Sequence, residues 1–254
     1  NSSTQDITVT VTNVNDNSPV FTSGAAFSVA ENQTSVGTVI ANDADGDTLT
    51  YSLSGADASA FSINSSTGVI AFKSAPDYET KTSYSATVTA SDGTNSTTQD
   101  ITITITDIDD TAPVFTSSAS FSAAENQTSI GTVTATDVDT DNASITFSIS
   151  GSELSITSGG VLTFASTPDY ETKSSYSATV TASDGTNSST QDITVTVTNV
   201  NDNSPVFTSD AAFSVAENQT SVGTVLANDA DGDSLTYSLS GADASAFSIN
   251  SSTG

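Results

Sequence analysis

The acidic residues of this chain recur in a fixed order. A lone glutamate comes first, then an Asp-x-Glu pair, a run of acids and amides before a proline, and an Asp-x-Asp pair. One copy is Glu31, Asp77 with Glu79, the run Asp107-Ile108-Asp109-Asp110-Thr111, and Asp137 with Asp139. Groups so far apart in sequence form one site only if the end of one domain meets the start of the next around shared cations. The donors on offer are oxygens, since the chain has no histidine and no cysteine, the side chains that transition metals recruit. Calcium takes six to eight oxygens from carboxylates, amides and carbonyls in flexible geometry, whereas magnesium demands an octahedron and keeps its waters. The donor set therefore points to calcium. Without metal such carboxylates repel one another and the linker becomes a hinge; a cation that binds only the ordered state stabilises that state.

The elements that must position these groups are repeated. Glu31 recurs as Glu125 and Glu217, and Asp16 as Asp110 and Asp202, with the same two steps of 94 and 92 residues. Residues 1–68 match residues 187–254 except at Gly24/Asp210, Ile40/Leu226 and Thr48/Ser234. A period of this length means an array of domains, each able to bury its own core. The prolines set the boundaries. Residues 1–18 are the last strand and linker of a preceding repeat, 19–112 form repeat A, 113–204 repeat B, and 205–254 the first part of repeat C. Within a repeat, Leu49–Leu53, Tyr84–Ala90 and Ile101–Ile105 alternate apolar with polar residues, and Val69–Phe72 does so more loosely. This is the period of a half-buried strand. Turn signals such as Asp92-Gly93 and Ser66-Thr67-Gly68 separate the runs. No segment has an apolar stripe at helical spacing. About seven short strands per repeat predict an all-β fold, tandem Ig-like sandwiches with Greek-key connections. Phe27, Val39, Tyr51, Leu53, Phe61, Ile63, Ile70, Phe72, Tyr84, Val88, Ile101 and Ile103 are the expected core of repeat A.

Composition removes several functions. With 30 acids, 3 basic residues and a formal charge of −27, the chain lacks the basic face that nucleic acid needs and is repelled by anionic membrane. Nothing approaches the apolar length of a membrane span. Without cysteine no disulfide stiffens the array, so metal is the alternative. Twenty of the 30 acids occupy the recurring positions, too many for turn chemistry alone. Acids outside them, Asp47 among them, read as solvated surface. An enzyme is the weakest reading: a glycosidase-like pair could be sought in Asp77 and Glu79, but the metal reading already uses both. The Asn-x-Ser/Thr triplets at Asn32, Asn64, Asn95, Asn126, Asn142, Asn187, Asn218 and Asn250 are glycan acceptors by pattern and are expected to stay unmodified. Tyr78 and Tyr170, inside the Asp-x-Glu pairs, are expected to pack.

Together these residues resemble the cadherin repeat over the whole chain. The resemblance rests on Ala30-Glu31-Asn32, Asp43-Ala44-Asp45, Pro76-Asp77-Tyr78-Glu79, Ala90-Ser91-Asp92-Gly93 and Asn13-Val14-Asn15-Asp16-Asn17-Ser18-Pro19. Each motif is weak alone; in this order, repeated, they are specific. The resemblance implies about three Ca2+ ions per complete junction. Between A and B it implies the side chains of Glu31, Asp77, Glu79, Asp109, Asp110, Asp137, Asp139 and Asp184, with the carbonyls of Ile108, Thr111 and Asn142. Asp107 takes the first linker position, where an aspartate orders the linker. Between B and C it implies Glu125, Asp169, Glu171, Asn201, Asp202, Asp229 and Asp231, with the carbonyls of Val200 and Asn203. Before repeat A it leaves Asn15, Asp16, Asp43, Asp45 and Asp92. Two departures stand out. Asn199 and Asn13 replace the first linker aspartate, and the loop after the Asp-x-Asp pair is shorter in A and C than in B.

The cysteine-free, near-identical repeats are similar to those of microbial surface proteins. The implied role is an extracellular calcium-rigidified stalk of a long adhesin, whose partners are the neighbouring repeats of its own chain. The alternative is self-associating repeats that form a fibre or an adhesive contact. The chain has no tryptophan, so the tryptophan-driven strand swap of vertebrate junction cadherins has no counterpart.

Overall fold

The computed structural model describes residues 1–139 and 144–254; Asn142 lies outside them. The chain divides into two compact units, Asn1–Asp110 and Thr111–Gly254.

The first unit holds repeat A. Its strands are β1 (Val20–Phe21), β2 (Ala26–Ala30), β3 (Ser35–Thr38), β4 (Ala41–Asn42), β5 (Thr50–Ser54), β6 (Phe61–Ile63), β7 (Val69–Phe72), β8 (Ser83–Ser91) and β9 (Ser96–Thr106). They form a four-stranded sheet β2-β9-β8-β5, a three-stranded sheet β3-β7-β6 and the pair β1-β4. Only β2 against β9 is parallel. The alternation explains β9: Ile101, Ile103 and Ile105 are buried while the threonines between them face solvent. Inward residues of both sheets make one core. Phe72 of the smaller sheet meets Tyr84 of the larger edge-on, with ring centroids 5.0 Å apart, an orientation aromatic rings prefer. The expected core is observed, with Phe27, Leu53, Ile63 and Tyr84 only partly buried, and Val29, Ala41, Ala86, Ala90 and Ile105 join it.

The second unit repeats this plan in β10 (Val114–Phe115), β11 (Ser120–Ala124), β12 (Ser129–Thr132), β13 (Ala135–Thr136), β14 (Thr146–Ile149), β15 (Leu154–Ile156), β16 (Val161–Phe164), β17 (Ser175–Ser183) and β18 (Ser188–Thr198). Its sheets are β11-β18-β17-β14, β12-β16-β15 and β10-β13. Of repeat C, only β19 (Val206–Phe207) and β20 (Ala227–Asn228) pair. Residues 1–12 are identical to 187–198, yet they form no strand and are exposed.

Candidate metal centre

The parallel pairing of β2 with β9 creates the site. Its register sets Ala30 opposite Thr106, so the next residues, Glu31 and Asp107, emerge side by side. The main-chain N–H of Glu31 donates to the Thr106 carbonyl at 3.1 Å, and that of Glu125 does the same to Thr198. The strand then turns through Asn32, whose φ of +60° is tolerable for asparagine. Glu31 and Glu125 are buried, 1% and 3% exposed, and each is held by two main-chain donors. Glu31 Oε2 accepts from Tyr78 N and Oε1 from Ile108 N, both at 2.8 Å. Glu125 accepts from Tyr170 N at 2.8 Å and Val200 N at 2.7 Å. One buried carboxylate thus ties the Asp-x-Glu loop to the linker. This joint use of the glutamate is not visible in the motifs. Nor is the work of the next residue: Asn32 Nδ2 donates to Asp110 Oδ2 at 2.6 Å and Asn126 Nδ2 to Asp202 Oδ2.

In the second unit Glu125, Glu171, Asp202 and Asp231 each bring a carboxylate oxygen within 4.8 Å of the others. They come from the end of β11, the loop after β16, the linker and the loop after β20. Asn203 lies among them, its Nδ2 donating to Asp202 Oδ1 (2.8 Å), Asp231 Oδ1 (3.1 Å) and Glu171 Oε2 (3.2 Å). Loss of solvent, and then the charges of Glu125 and Asp231, raise the Glu171 carboxyl above its ordinary range. Burial also works against the charge of Asp231, but donation from Asn203 main chain and amide, and from Asp202 N, prevails and keeps its carboxyl low. In the first unit Glu31, Glu79 and Asp107 make a comparable group, and Asp43, Asp45 and Asp47 another.

The Asp-x-Asp loops share one internal bond. The second residue's N–H reaches back to the first carboxylate, Asp45 to Asp43 at 2.8 Å, Asp139 to Asp137 at 2.9 Å and Asp231 to Asp229 at 3.0 Å. The fifth linker residue then donates its N–H to the second aspartate. Asn17 reaches Asp45 and Asn203 reaches Asp231, both at 2.8 Å, and Thr111 reaches Asp139 at 2.5 Å. Asp92 and Asp184 sit in the hairpins β8–β9 and β17–β18, each with Oδ1 on two turn amides. Asn95 Nδ2 holds Asn15 Oδ1 at 2.9 Å, which brings the leading linker to the Asp92 turn. Asp77 and Asp169 stand apart from these groups, their oxygens engaged by Thr80 and Thr172. Tyr78 packs on the core; Tyr170 does not, at 38% exposed, and there the packing expectation fails.

The residues fit calcium. Among the described residues the buried charged side chains are Glu31, Glu125, Asp137 and Asp229, all assigned to metal from the sequence. Asp43 Oδ2 and Asp184 Oδ2 are screened from solvent and accept no hydrogen bond, which is costly for an anionic oxygen unless a cation supplies the partner. The lysines do not: Lys81 pairs with Asp57, Lys173 with Glu153, and Lys73 bonds the Ser59 carbonyl.

A family model described as the cadherin domain matches residues 25–106 and 118–198. Mouse Protocadherin Fat 4 is 37% identical over 225 residues, which are 81% of this chain and 4% of that protein. The crystal structure of mouse Cadherin-23 EC22-24 matches with a TM-score of 0.76 at 29% identity, over 94% of this chain and 87% of that one. Protocadherin gammaB7 EC3-6, described as a cis-dimer structure, matches at 0.74 and 28% identity, over 94% and 68%.

Proposed function

The chain belongs to the cadherin family, and on that premise we propose that it is a calcium-stiffened spacer in the stalk of a long repetitive adhesin. Cadherin repeats belong to extracellular adhesion proteins rather than enzymes, and their domains bind Ca2+ at the junctions between repeats. The observation that carries the reading is the convergence of Glu125, Glu171, Asp202 and Asp231. Repeat B, the linker and repeat C each contribute, and all the donors are oxygen. Calcium bound there joins three pieces of chain that carry like charge, so the ordered linker is stabilised by the ion. Asp229, Asn201, Asp169 and the carbonyls of Val200 and Asn203 complete the proposed set. In the first unit it comprises Glu31, Asp77, Glu79 and Asp107 to Asp110, with Asn15, Asp16, Asp43, Asp45 and Asp92. Thr111, Asp137, Asp139 and Asp184 belong to the second. About three ions per complete junction fit these numbers of donors. A long, recently duplicated microbial array is supported by the near-identity of residues 1–68 and 187–254 and by the absence of cysteine.

Repeats that associate with other copies are the second reading, favoured by the cis-dimer described for the gammaB7 relative. Small-angle scattering across a calcium titration, with magnesium as control, separates the two. Stiffening that needs calcium and is independent of protein concentration is the expected result. A profile indifferent to calcium would remove the ligand assignment, and mass that grows with concentration would favour association.

A further inference from the structure

Among the described residues, Asn32, Asn126 and Asn218 are the non-glycine residues with a left-handed backbone, at φ of +60°, +63° and +65°. Each follows the first glutamate of its repeat. Glycine adopts this conformation with the least strain. Asparagine tolerates it and adds what glycine lacks, a side-chain amide. In repeats A and B that amide is used. Asn32 Nδ2 reaches Asp110 Oδ2 at 2.6 Å, across 78 residues of sequence, and Asn126 Nδ2 reaches Asp202 Oδ2 across 76. The main chain of the same residue is anchored as well. Asn32 donates its N–H to the Pro76 carbonyl at 3.0 Å, and Asn126 to that of Pro168 at 3.1 Å. Both prolines immediately precede the Asp-x-Glu pairs. One asparagine therefore joins the strand end, the Asp-x-Glu loop and the linker.

We infer that Asn32 and Asn126 are positioning residues of the linker. Each amide fixes the fourth linker residue, Asp110 or Asp202, against the repeat before it, so the protein and not the ion alone sets where that carboxylate points. The inference rests on the calcium reading above. In the second unit Asp202 brings an oxygen within 4.8 Å of oxygens from Glu125, Glu171 and Asp231, and their like charge pushes it away. Donation from Asn126 to Oδ2, and from Asn203 Nδ2 to Oδ1 at 2.8 Å, holds it in place. The neutrality of the donor matters. A lysine would bind the aspartate more strongly but would cancel the charge that a cation needs, whereas an amide leaves that charge intact. The acceptor is not exhausted either, since a carboxylate offers about four lone-pair sites and the asparagine takes one. Partners of this kind orient a ligand without touching the metal. A role in the turn alone requires none of this, because glycine satisfies the turn.

The test separates amide from turn with Asn32→Gly and Asn126→Gly, which keep the left-handed backbone and remove the donor. Circular dichroism in calcium checks the fold. Calorimetry on the full chain carrying both changes should show calcium binding weakened about tenfold, the loss expected of an orienting partner. A second measurement needs no metal. In chelator, Asn126→Gly should lower the urea midpoint of a chain that retains Asp202 by more than that of a chain carrying Asp202→Ala. The donor has value only while its acceptor is present. Glycine variants that bind calcium like the unaltered chain, or equal midpoint shifts in the two backgrounds, would overturn the inference and leave the calcium reading standing. An unaltered chain that takes up no calcium would overturn both.

Discussion

Strands β9 and β18 are the same length and end in the same threonine, but the linkers that follow them begin with Asp107 and Asn199. In the first unit Asp107 joins Glu31 and Glu79 in a group of three carboxylates. In the second, Asn199 turns its amide to the Asp231 carbonyl at 2.8 Å, as Asn13 does to that of Asp45. One residue adds a negative charge to a group of carboxylates; the other makes a neutral tie. The difference continues along the linkers, where Asp109 and Thr111 are replaced by Asn201 and Asn203. Three acids in the first linker become one in the second. On the proposed calcium reading the two linkers differ in how far they depend on the ion, while the sandwiches before them stay nearly alike.

Breaking what the two linkers share has the largest expected effect. Glu31→Ala and Glu125→Ala each strand two main-chain donors that now meet a buried carboxylate. Bonds to charged groups contribute about 1.5–3 kcal/mol each, so either change should cost about 3 kcal/mol, read by chemical denaturation in calcium. The two costs should be similar, because each carboxylate holds an equivalent pair of main-chain donors. Unequal losses would show that the linkers differ at their root. An exchange of the first residues should sharpen the contrast. Asp107→Asn should weaken, and Asn199→Asp strengthen, the tightest calcium site by about tenfold. Calorimetry in which both variants move in the same direction would defeat the comparison.

The smallest effect concerns protons. The Glu171 carboxyl is raised, so the fold favours its neutral form. Its contribution to metal-free stability is present below the ordinary glutamate range and is lost as pH rises through the raised value. Calcium must displace that proton within the same window. Metal-free thermal unfolding should show slightly lower stability at neutral than at mildly acid pH, and calcium binding should release protons there. Solvent screening keeps the effect small. Asn199→Asp should widen the window upward. A chain whose metal-free stability only rises with pH would contradict the assignment of Glu171 to the cluster.

The sequence by itself determined what is local or periodic. Alternation along Ile101–Ile105 placed a strand, Asp92-Gly93 placed a turn, and the spacing of Glu31, Glu125 and Glu217 gave the repeat. The donor chemistry followed from residue types alone, since oxygens without imidazole or thiolate leave few metals. Tertiary structure decided everything that depends on a partner distant in sequence. It buried Glu31 against the amides of Tyr78 and Ile108, which no window of sequence brings together. It packed Tyr78 and left the matching Tyr170 exposed. It gave Asn199 an acceptor 32 residues away and left Asp47 Oδ2 without a donor. The physical reason is common to all of these: propensity and pattern act within a few residues, whereas burial, strand pairing and convergence of charge arise only between segments that folding has brought together.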